Sequence, residues 1–544
     1  MKKLAALLLL VCSCSHRQES AAPRPIFRDA APETGLVFEH ATGATGEFLM
    51  PEIMGSGVAL FDFDNDGDLD VYLVQSIGRG KLFRNELVPS GSLRFTDVTA
   101  ASGIAFDSYG MGAATGDFDG DGRVDLLLTA WAQPGKPGRA LYRNLGNGRF
   151  EAVPLPPEPL PNQWSSSASF FDYDRDGRLD LVILSYVNFT RALNKKCQTP
   201  AGEPDYCTPK AYSPVSARLY HNEGSRFTDV TEKAGLNRAL GPGLGVLAMD
   251  FNGDSYPDLF VANDTAANHL WINQRDGTFR EAAIESGLAY SEDGLAKAGM
   301  GVAAGDYDRD GRPDLLVLNL MREGATLFHN EGLTPQGAPS FADVSRRTGI
   351  YKETFAYTGF GAGWVDYDND GWLDLFLANG AVTLREEQRG QKVPFKERNL
   401  LLHNEAGQKF INAAGAAGPV LALEEVTRGA AFGDIDNDGD IDILITNNGG
   451  PARLLLNEAP KSGWIGVQLE GKQSIGATVT LHRDGLPPLM RVVHTDSSYC
   501  SASDPRVVFG LGAQTSVSRI EVVWPDGSQR TLTAPQPGTY LTLK

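Results

Sequence analysis

Clustered aspartates are the residues of this sequence whose types and spacing could do chemistry. The stretch DFDNDGDLD, residues 62–70, has aspartates at its positions 1, 3, 5 and 9 and a glycine at position 6. Two like charges about 4 Å apart repel by roughly 4 kcal/mol at an effective dielectric constant near 20, so these carboxylates need a cation between them. Oxygen ligands, a backbone carbonyl near position 7 and a turn-forming glycine suit Ca²⁺. No histidine or cysteine belongs to the pattern, which disfavours zinc and copper.

The aspartate pattern occurs seven times, so we expect up to seven Ca²⁺ ions. The fourth copy has asparagine at position 3 and Ser255 in place of glycine, and we expect it to bind most weakly. The candidate ligands, copy by copy, are Asp62, Asp64, Asp66 and Asp70; Asp117, Asp119, Asp121 and Asp125; Asp172, Asp174, Asp176 and Asp180; Asp250, Asn252, Asp254 and Asp258; Asp306, Asp308, Asp310 and Asp314; Asp366, Asp368, Asp370 and Asp374; and Asp434, Asp436, Asp438 and Asp442.

Two other readings of the aspartates are open. The loops could be solvated acidic turns without metal, or the carboxylates could form catalytic pairs. Catalytic pairs need two environments that separate their pKa values, whereas seven equivalent loops provide similar ones. We therefore interpret the calcium as structural, with each ion joining the first two strands of one repeated unit.

Each loop lies in a unit of four short β segments. A run of small residues (GSGVALF) precedes it, an apolar strand (DVYLVQ) follows, a third segment ends in asparagine (LFRN), and a fourth reads RFTDV. This predicts an all-β fold, a seven-bladed β-propeller spanning residues 26–458, with a small β domain at 460–544. The seventh unit lacks a fourth segment, whereas an unassigned one stands at residues 26–36, so the N-terminus should close the ring. A linear solenoid is the alternative, but it requires polar caps.

The N-terminus predicts export. MKKLAALLLLVCSCS is typical of a signal peptide, here residues 1–13, and Val11–Cys14 resembles a lipobox with Cys14 as the lipidated residue, although ordinary secretion is also open. Residues 14–25 would be a tether, and the lipid would be the only membrane contact. We expect a cell envelope lipoprotein, at the outer membrane or surface, or a secreted protein.

The net charge limits the possible partners, and the cysteines predict one disulfide. The net charge of −19 argues against nucleic acid. In an oxidising exterior, Cys197 and Cys207 are a plausible disulfide, and Cys500 should be a small buried residue.

The repeats resemble known families. The small-residue strand, the D-x-D-x-D-G-x-x-D loop and the apolar strand that follows resemble FG-GAP/VCBS repeats, which form seven-bladed propellers in integrin α-subunits. The stretches IGA at 475–477, SDPRVVFGLG at 503–512 and VVWPDG at 522–527 resemble the ASPIC/UnbV domain. Together they are similar to the cartilage acidic protein 1 family, whose bacterial members are exported. The resemblance implies calcium binding and an extracellular interaction role.

One mouth of the channel is the candidate ligand site. The residues just before the inner strands should surround it, namely His40, Glu52, Tyr109, Trp164, Lys297, Tyr357 and Arg428; the alternative is that they pack the blades. We expect these aromatic and charged groups to be exposed, and exposed groups of this kind suit a glycan or protein ligand. The leading hypothesis is a calcium-stabilised binding or adhesion module; the alternatives are a polysaccharide lyase or hydrolase at the mouth and a scaffold for an envelope complex. We interpret His221, His329 and His403, all in the L-x-H-N segment, as architectural.

Overall fold

A computed structural model describes residues 25–160, 163–383, 395–470 and 474–544. The predicted signal, Cys14 and the tether up to residue 24 lie outside these ranges. Most described strands belong to seven four-stranded antiparallel sheets, which we call blades 1–7 in the order of their loops. Each inner strand lies against the inner strand of the next blade, and that of blade 7 lies against that of blade 1. The sheets therefore form a closed ring, as predicted.

The inner strands line the central channel and consist largely of small residues. They run, from blade 1 to blade 7, over Val58–Phe61, Tyr109–Gly116, Ser165–Phe171, Gly243–Met249, Val302–Gly305, Gly359–Val365 and Thr427–Gly433. A Cβ atom on Gly301 would lie 1.7 Å from the carbonyl oxygen of Phe360 in the next blade. Glycine at that position is required by the close approach of two backbones.

The second and third strands form the buried middle of each blade. The second strands are Asp70–Leu73, Asp125–Trp131, Asp180–Ser185, Asp258–Asn263, Asp314–Val317, Asp374–Asn379 and Asp442–Asn447. The third strands are Lys81–Asn85, Arg139–Asn144, Arg218–Asn222, His269–Asn273, Thr326–Leu333, Leu400–Glu405 and Arg453–Asn457. Every second strand begins at the aspartate of loop position 9, and its residues are buried on both faces because the blades pack face to face.

The outer strand of blade 7 comes from the other end of the chain. In blades 1–6 the outer strands are Phe95–Asp97, Phe150–Val153, Phe227–Asp229, Phe279–Glu281, Pro339–Asp343 and Lys409–Asn412. In blade 7 it is Phe27–Asp29, which pairs antiparallel with Arg453–Asn457. The Arg453 guanidinium adds an ion pair to Asp29, 2.6 Å from Nη1 to Oδ2. The predicted closure by the N-terminal strand is confirmed.

Short elements connect the strands. The α-helices span Ala31–Thr34, Leu87–Ser90, Thr99–Ser102, Thr231–Ala234, Ile350–Thr354 and Ala414–Ala417, and the 3₁₀ helices span Met50–Ile53, Arg191–Leu193, Pro209–Ala211, Leu236–Arg238 and Pro419–Ala422. Two minor strand pairs join Cys197–Gln198 to Pro204–Asp205 and Glu397–Arg398 to Glu424–Glu425. No helix in the described ranges is long and apolar enough to cross a membrane.

The C-terminal domain contains two further sheets. Three strands, in the order Val507–Gly512, Gly463–Leu469 and Tyr540–Leu543, form one sheet, in which the last two strands are parallel. Four strands, in the order Leu489–Val492, Thr478–His482, Arg519–Val523 and Gln529–Thr533, form the other. Their apolar faces share a core that includes Ile465, Val479, Phe509, Ile520 and Trp524.

A segment of this domain, residues 494–504, runs into the channel of the propeller and contacts every blade. We call it the channel segment. Its hydrogen bonds reach Val58 and Leu60 in blade 1, Ala113 and Thr115 in blade 2, Ser167 and Ser169 in blade 3, Ala248 in blade 4, Val302 in blade 5, Ala362 in blade 6 and Phe432 in blade 7. Tyr499 and Cys500 are 0% and 1% exposed. The channel is therefore filled with protein, an arrangement that the sequence did not predict.

Candidate metal sites

The seven loops share one backbone geometry, which the position-1 aspartate holds. In blade 1, Asp62 Oδ1 accepts a hydrogen bond from the backbone N–H of Asp66 at 3.2 Å, and its Oδ2 accepts one from Gly67 at 3.0 Å. In all seven loops, positions 4 and 6 both have a positive φ: Asn65 and Gly67, Gly120 and Gly122, Arg175 and Gly177, Gly253 and Ser255, Arg309 and Gly311, Asn369 and Gly371, and Asn437 and Gly439. The predicted turn residue was position 6 only, although asparagine or glycine at position 4 in five copies also indicated a positive φ there.

Position 4 also links the loop to the next blade in the five loops where it carries a side chain. Asn65 Nδ2 donates to the carbonyl oxygen of Gly122 at 2.9 Å, and Asn437 Nδ2 donates to that of Gly67 at 3.1 Å. Where position 4 is arginine, its guanidinium lies over the aromatic residue at position 7 of the next loop; Arg309, for example, lies 3.5 Å from the ring centroid of Trp372. These loops therefore hold neighbouring blades together as well as strands within a blade.

The position-9 aspartate explains the asparagine found in each third strand, at its last residue in five blades and inside the strand in blades 5 and 6. Asp70 Oδ2 accepts the N–H of Phe63 at 3.0 Å, and its Oδ1 accepts the N–H of Asn85 at 2.8 Å. The Asn85 amide then donates to the carbonyl oxygen of Ile435 in the preceding blade, at 3.2 Å. Equivalent bonds to the preceding blade are made by Asn144, Asn222, Asn273, Asn404 and Asn457. Two residues thus join loop, third strand and neighbouring blade.

Several carboxylate oxygens in the loops are buried without a hydrogen-bond partner. The Oδ1 atom at position 3 is such an oxygen in four blades, in Asp64, Asp174, Asp368 and Asp436; Asp366 Oδ1 and Asp374 Oδ2 are two more. Acidic clusters such as Asp62, Asp64 and Asp66 could hold a metal ion, because one oxygen from each lies within 4.8 Å of the others. Buried acceptors are normally satisfied, so oxygens left unpaired around one point fit a hard cation.

Burial makes these loops unfavourable places for negative charge. It raises the pKa of Asp62 and Asp434 to about 6 and that of Asp306 to about 7, and it holds the pKa values of Asp366 and Asp442 well above the usual range. Neighbouring carboxylates raise the pKa further in each loop. A divalent cation at the centre of a loop would reverse both effects, because it favours the ionised form of every carboxylate.

Histidine lies beside three of the loops, contrary to the sequence interpretation that none belongs there. The Nδ1 atoms of His221, His329 and His403 lie 3.0, 3.0 and 3.1 Å from the position-9 aspartates of blades 3, 5 and 6. Each histidine and two aspartates of its loop bring donor atoms within 4.8 Å of one another. The L-x-H-N spacing placed histidine one residue before the asparagine, but only strand pairing shows that this position faces the loop.

Parts of this chain match two known protein families. Residues 62–128, 130–183, 250–317 and 366–445 match the FG-GAP-like repeat family, and these four ranges contain all seven loops. Residues 468–544 match the ASPIC and UnbV family. The chain carries FG-GAP-like repeats and an ASPIC and UnbV domain. The family resemblance seen in the sequence is confirmed.

Curated relatives are similar in sequence over most of this chain. Cartilage acidic protein 1 from Xenopus tropicalis is 26% identical over 88% of this chain and 71% of the relative, and that from Homo sapiens is 25% identical over 97% and 76%. The chain is thus homologous to cartilage acidic protein 1 over most of its length. A solved lectin from Agrocybe aegerita, which recognises non-reducing terminal N-acetylglucosamine, aligns with 73% of this chain and 87% of its own at a TM-score of 0.39 and 13% identity.

The ASPIC and UnbV domain covers the loops of FG-GAP-like blades 6 and 7. Lys461 Nζ pairs with Asp440 at 2.8 Å and also with Asp438, and Tyr540 donates from its hydroxyl to Asp434 Oδ2 at 2.8 Å. The Gly512 N–H donates to the carbonyl oxygen of Asn369 at 2.8 Å. The domain therefore docks on the loop face of the propeller, and its channel segment enters from that face.

The expected channel-mouth site is not an open surface. Five of its seven residues are buried, His40, Glu52, Tyr109, Trp164 and Arg428, while Lys297 and Tyr357 are half-buried. The expectation that they are exposed is wrong for those five. The reason is that residues 41–54 fold across this end of the ring and the channel segment reaches it from below, where the Tyr499 hydroxyl donates to the carbonyl oxygen of Met54 at 2.7 Å.

The buried mouth residues have internal partners. Arg428, 0% exposed, donates to the carbonyl oxygens of Ile53, Gly380 and Ala381 and lies over the Phe360 ring at 3.9 Å. His40 Nε2 lies 3.0 Å from Ser76 Oγ, and its Nδ1 accepts the N–H of Gly449 at 3.1 Å. These contacts are blade packing, the alternative that the sequence left open for these residues.

The cysteines behave as expected. Cys197 and Cys207 form a disulfide in the blade 3 insertion, whose Tyr206 donates from its hydroxyl to Glu52 Oε2 at 3.0 Å. Cys500 is free and buried at the centre of the channel, and burial raises the pKa of its thiol to about 12. It is a packing residue of the channel segment.

Proposed function

We propose that this protein is an exported, calcium-binding module of the binding or adhesion type, stabilised by Ca²⁺ in its FG-GAP-like loops. The observation that carries the proposal is the unpaired, buried Oδ1 atom at position 3 of four different loops, in Asp64, Asp174, Asp368 and Asp436. One atom left without a partner at the same place in separate repeats is the signature of a shared ligand. Carboxylate oxygen is the donor that Ca²⁺ prefers.

Calcium would supply positive charge that the chain lacks. Removal of residues 1–13, with Lys2 and Lys3, takes the formal charge from −19 to −21, and seven Ca²⁺ ions would bring it to −7. Within a loop, the ion would be held by the side chains at positions 1, 3, 5 and 9 and would cancel their mutual repulsion. We expect the fourth site, with Asn252 and Ser255, to be the weakest.

A filled channel favours recognition on the outer surface of a rigid disc. The channel segment fills the central channel and Tyr499 closes its far end, so the channel has no open cavity for a ligand. We therefore place the partner, a glycan or a protein, on the exterior of the blades. The lipid anchor at Cys14 would display that disc at the cell envelope.

Equilibrium dialysis of the exported portion against ⁴⁵Ca²⁺ tests whether the protein binds calcium. We expect several ions per chain, and we expect the quadruple variant Asp64→Asn, Asp174→Asn, Asp368→Asn and Asp436→Asn to lose up to four of them. The control is Asp107→Asn, an exposed aspartate outside the loops that should leave uptake unchanged. Negligible uptake by the unaltered protein would refute the proposal.

Two further experiments test partner and location. Glycan and envelope-protein arrays, probed with and without a chelator, should show binding that depends on Ca²⁺. Binding that the chelator does not change would show that recognition of the partner does not require the metal. The variant Cys14→Ser should move the protein from the membrane fraction to the soluble fraction, whereas an unchanged distribution would argue against the lipid anchor.

A further inference from the structure

The aspartate at position 5 of each loop has two oxygens with different partners. In all seven loops its Oδ1 atom accepts a hydrogen bond from the backbone N–H of position 7, at 2.7–3.1 Å. In five loops its Oδ2 atom pairs with a cationic side chain: Arg123 with Asp121, Arg178 with Asp176, Arg275 with Asp254, Arg312 with Asp310, and Lys461 with Asp438. The chain therefore usually places one positive charge at this second oxygen.

Loop 6 also has positive charge close to its position-5 aspartate, Asp370. Arg309 Nη2 donates to the backbone carbonyl oxygen of Asp370 at 3.4 Å. Burial lowers the pKa of Arg309 and of Arg483, and the charge of Asp370 offsets part of that shift in both. Six of the seven position-5 aspartates thus have a cationic side chain of this chain nearby.

Loop 1 is the exception. Within the described ranges, no lysine, arginine or histidine forms an ion pair with its position-5 aspartate, Asp66, or with its position-7 residue, which is also an aspartate, Asp68. Asp68 is 1% exposed; its Oδ2 accepts the N–H of Val88 at 2.7 Å, and its Oδ1 is buried without a partner. Burial raises the pKa of Asp68, and the nearby Asp66 carboxylate raises it further. Loop 1 therefore has a second carboxylate where other loops have a cation.

Loop 7 shows what such a pair of aspartates binds. Its position 7 is aspartate as well, and Lys461 Nζ bridges the pair, in contact with Asp438 Oδ2 and 2.8 Å from Asp440 Oδ2. The remaining oxygen of Asp440 accepts a hydrogen bond from the Asn369 amide, as that of Asp68 accepts one from Val88. The two pairs match in every respect except that the bridging cation of loop 7 has no counterpart in loop 1.

The surroundings of Asp68 favour a small metal ion over a side chain from a partner protein. Asp68 is covered by its own blade without any cation in place, so a lysine or arginine from outside has no open path to its free oxygen. Two carboxylates carry two negative charges and offer only oxygen donors. A hard divalent cation matches both the charge and the donor type.

We propose that loop 1 binds a second Ca²⁺ ion, bridging Asp66 and Asp68, at the place that the Lys461 ammonium occupies in loop 7. The inference rests on the proposed function for the identity of the ion. The site lies beside the centre of the loop and adds a residue, Asp68, that is not among the ligands at positions 1, 3, 5 and 9.

Counting ions by equilibrium dialysis against ⁴⁵Ca²⁺ tests the site. Asp68→Asn should bind one ion fewer than the unaltered protein does. Asp440→Asn is the matched control, a position-7 aspartate whose cation is Lys461, and its ion count should be unchanged. An unchanged count in Asp68→Asn would overturn the inference, and it is the result expected if Asp66 and Asp68 share a proton instead of an ion.

The reverse experiment uses loop 7. Lys461→Met removes the ammonium and leaves Asp438 and Asp440 as a pair like that of loop 1, so this variant should bind one ion more than the unaltered protein does. No gain would overturn the comparison between the two loops, on which the inference depends.

Long-wavelength anomalous scattering from crystals of the calcium-loaded exported portion locates each ion and does not depend on a variant. We expect two calcium peaks in loop 1, one at its centre and one between Asp66 and Asp68. In Asp68→Asn crystals the second peak should disappear while the central one remains. A single central peak in the unaltered protein would overturn the inference.

The outcomes separate this inference from the proposed function. Calcium uptake that is unaffected by Asp68→Asn, with one peak in loop 1, would overturn the second site and leave the calcium-binding module standing. Negligible uptake by the unaltered protein would overturn both.

Discussion

Val302 and Ser498 exchange two backbone hydrogen bonds, from Val302 N–H to Ser498 O at 3.0 Å and from Ser498 N–H to Val302 O at 2.6 Å. Val302 belongs to the inner strand of blade 5, and Ser498 belongs to the channel segment. The segment therefore pairs with the propeller as an extra strand would. Because its other bonds reach the remaining six blades, the C-terminal domain is part of the propeller core rather than an appendage.

Shortening Tyr499 should destabilise the whole propeller. Its ring is fully buried at the end of the channel and packs edge-on against Phe360 at 4.9 Å. Tyr499→Ala removes that packing and leaves a cavity, so we expect the free energy of unfolding to fall by about 3–5 kcal/mol. Tyr499→Phe removes only the bond to Met54 and should cost about 1 kcal/mol. Urea denaturation measures both changes. A small and equal effect of the two variants would contradict the claim that packing of Tyr499 in the channel stabilises the propeller.

The asparagine of the third strand should contribute most to stability in those blades where it bonds to the preceding blade. Asn144 Nδ2 donates to Phe63 O of blade 1 at 2.7 Å, whereas the bond found for Asn330 Nδ2 is to Pro313 O of its own blade. We expect Asn144→Ala to lower the free energy of unfolding by about 1–3 kcal/mol more than Asn330→Ala does, because it leaves a buried carbonyl unpaired. Thermal unfolding compares the two, and equal melting temperatures would contradict the inter-blade role.

Ser255 should be a correctable weakness of loop 4. It takes a φ of 70° at position 6, where the six other loops have glycine. Ser255→Gly should raise the free energy of unfolding by about 1 kcal/mol, because the left-handed conformation costs a residue with a Cβ about that much. It should also raise the calcium affinity of that site. Ser255→Ala keeps the Cβ and is the control; stabilisation by Ala as large as by Gly would show that backbone strain is not the cause.

His40 should make the protein sensitive to acid. Burial lowers its pKa to about 3 from an ordinary value of 6.5, so the folded state holds it neutral, with Nδ1 accepting from Gly449. A folded-state pKa below the unfolded value means that this contribution to stability is complete above pH 6.5 and is lost as the pH falls toward 3. At pH 5 the loss is about 2 kcal/mol. Urea denaturation from pH 8 to pH 5 measures it, and His40→Asn should have a shallower slope; an unchanged slope would contradict the assignment.

The repeat itself was predictable because its signals are local. Loop spacing, strand patterns and the unassigned segment at residues 26–36 together predicted the sheets and the pairing of Phe27–Asp29 with the last blade. Position 4 of the loops carried a usable signal that was missed, since Asn65 and Gly120 are residues that tolerate a positive φ. Loop ligand positions were read from spacing alone.

What the sequence did not reveal depends on contacts between distant segments. Nothing local in Tyr499 or Cys500 indicates that they lie inside a channel formed by residues hundreds of positions earlier. The same holds for Arg428, whose charge suggested an exposed mouth but whose donors are used by backbone carbonyls of blades 6 and 7 and residue 53. His403 faces loop 6 only because its strand pairs with the one that begins at Asp374.

The position of Phe27–Asp29 has a consequence for biosynthesis. The partner strand, Arg453–Asn457, emerges from the ribosome only after most of the chain has been made, and the channel segment later still. Until then, the first strand has no partner strand, and the inner strands have no channel segment between them. Final assembly must therefore be post-translational. In a nascent chain that ends after blade 6, the first strand would have no strand to pair with, and the inner strands would lack their hydrogen bonds to the channel segment.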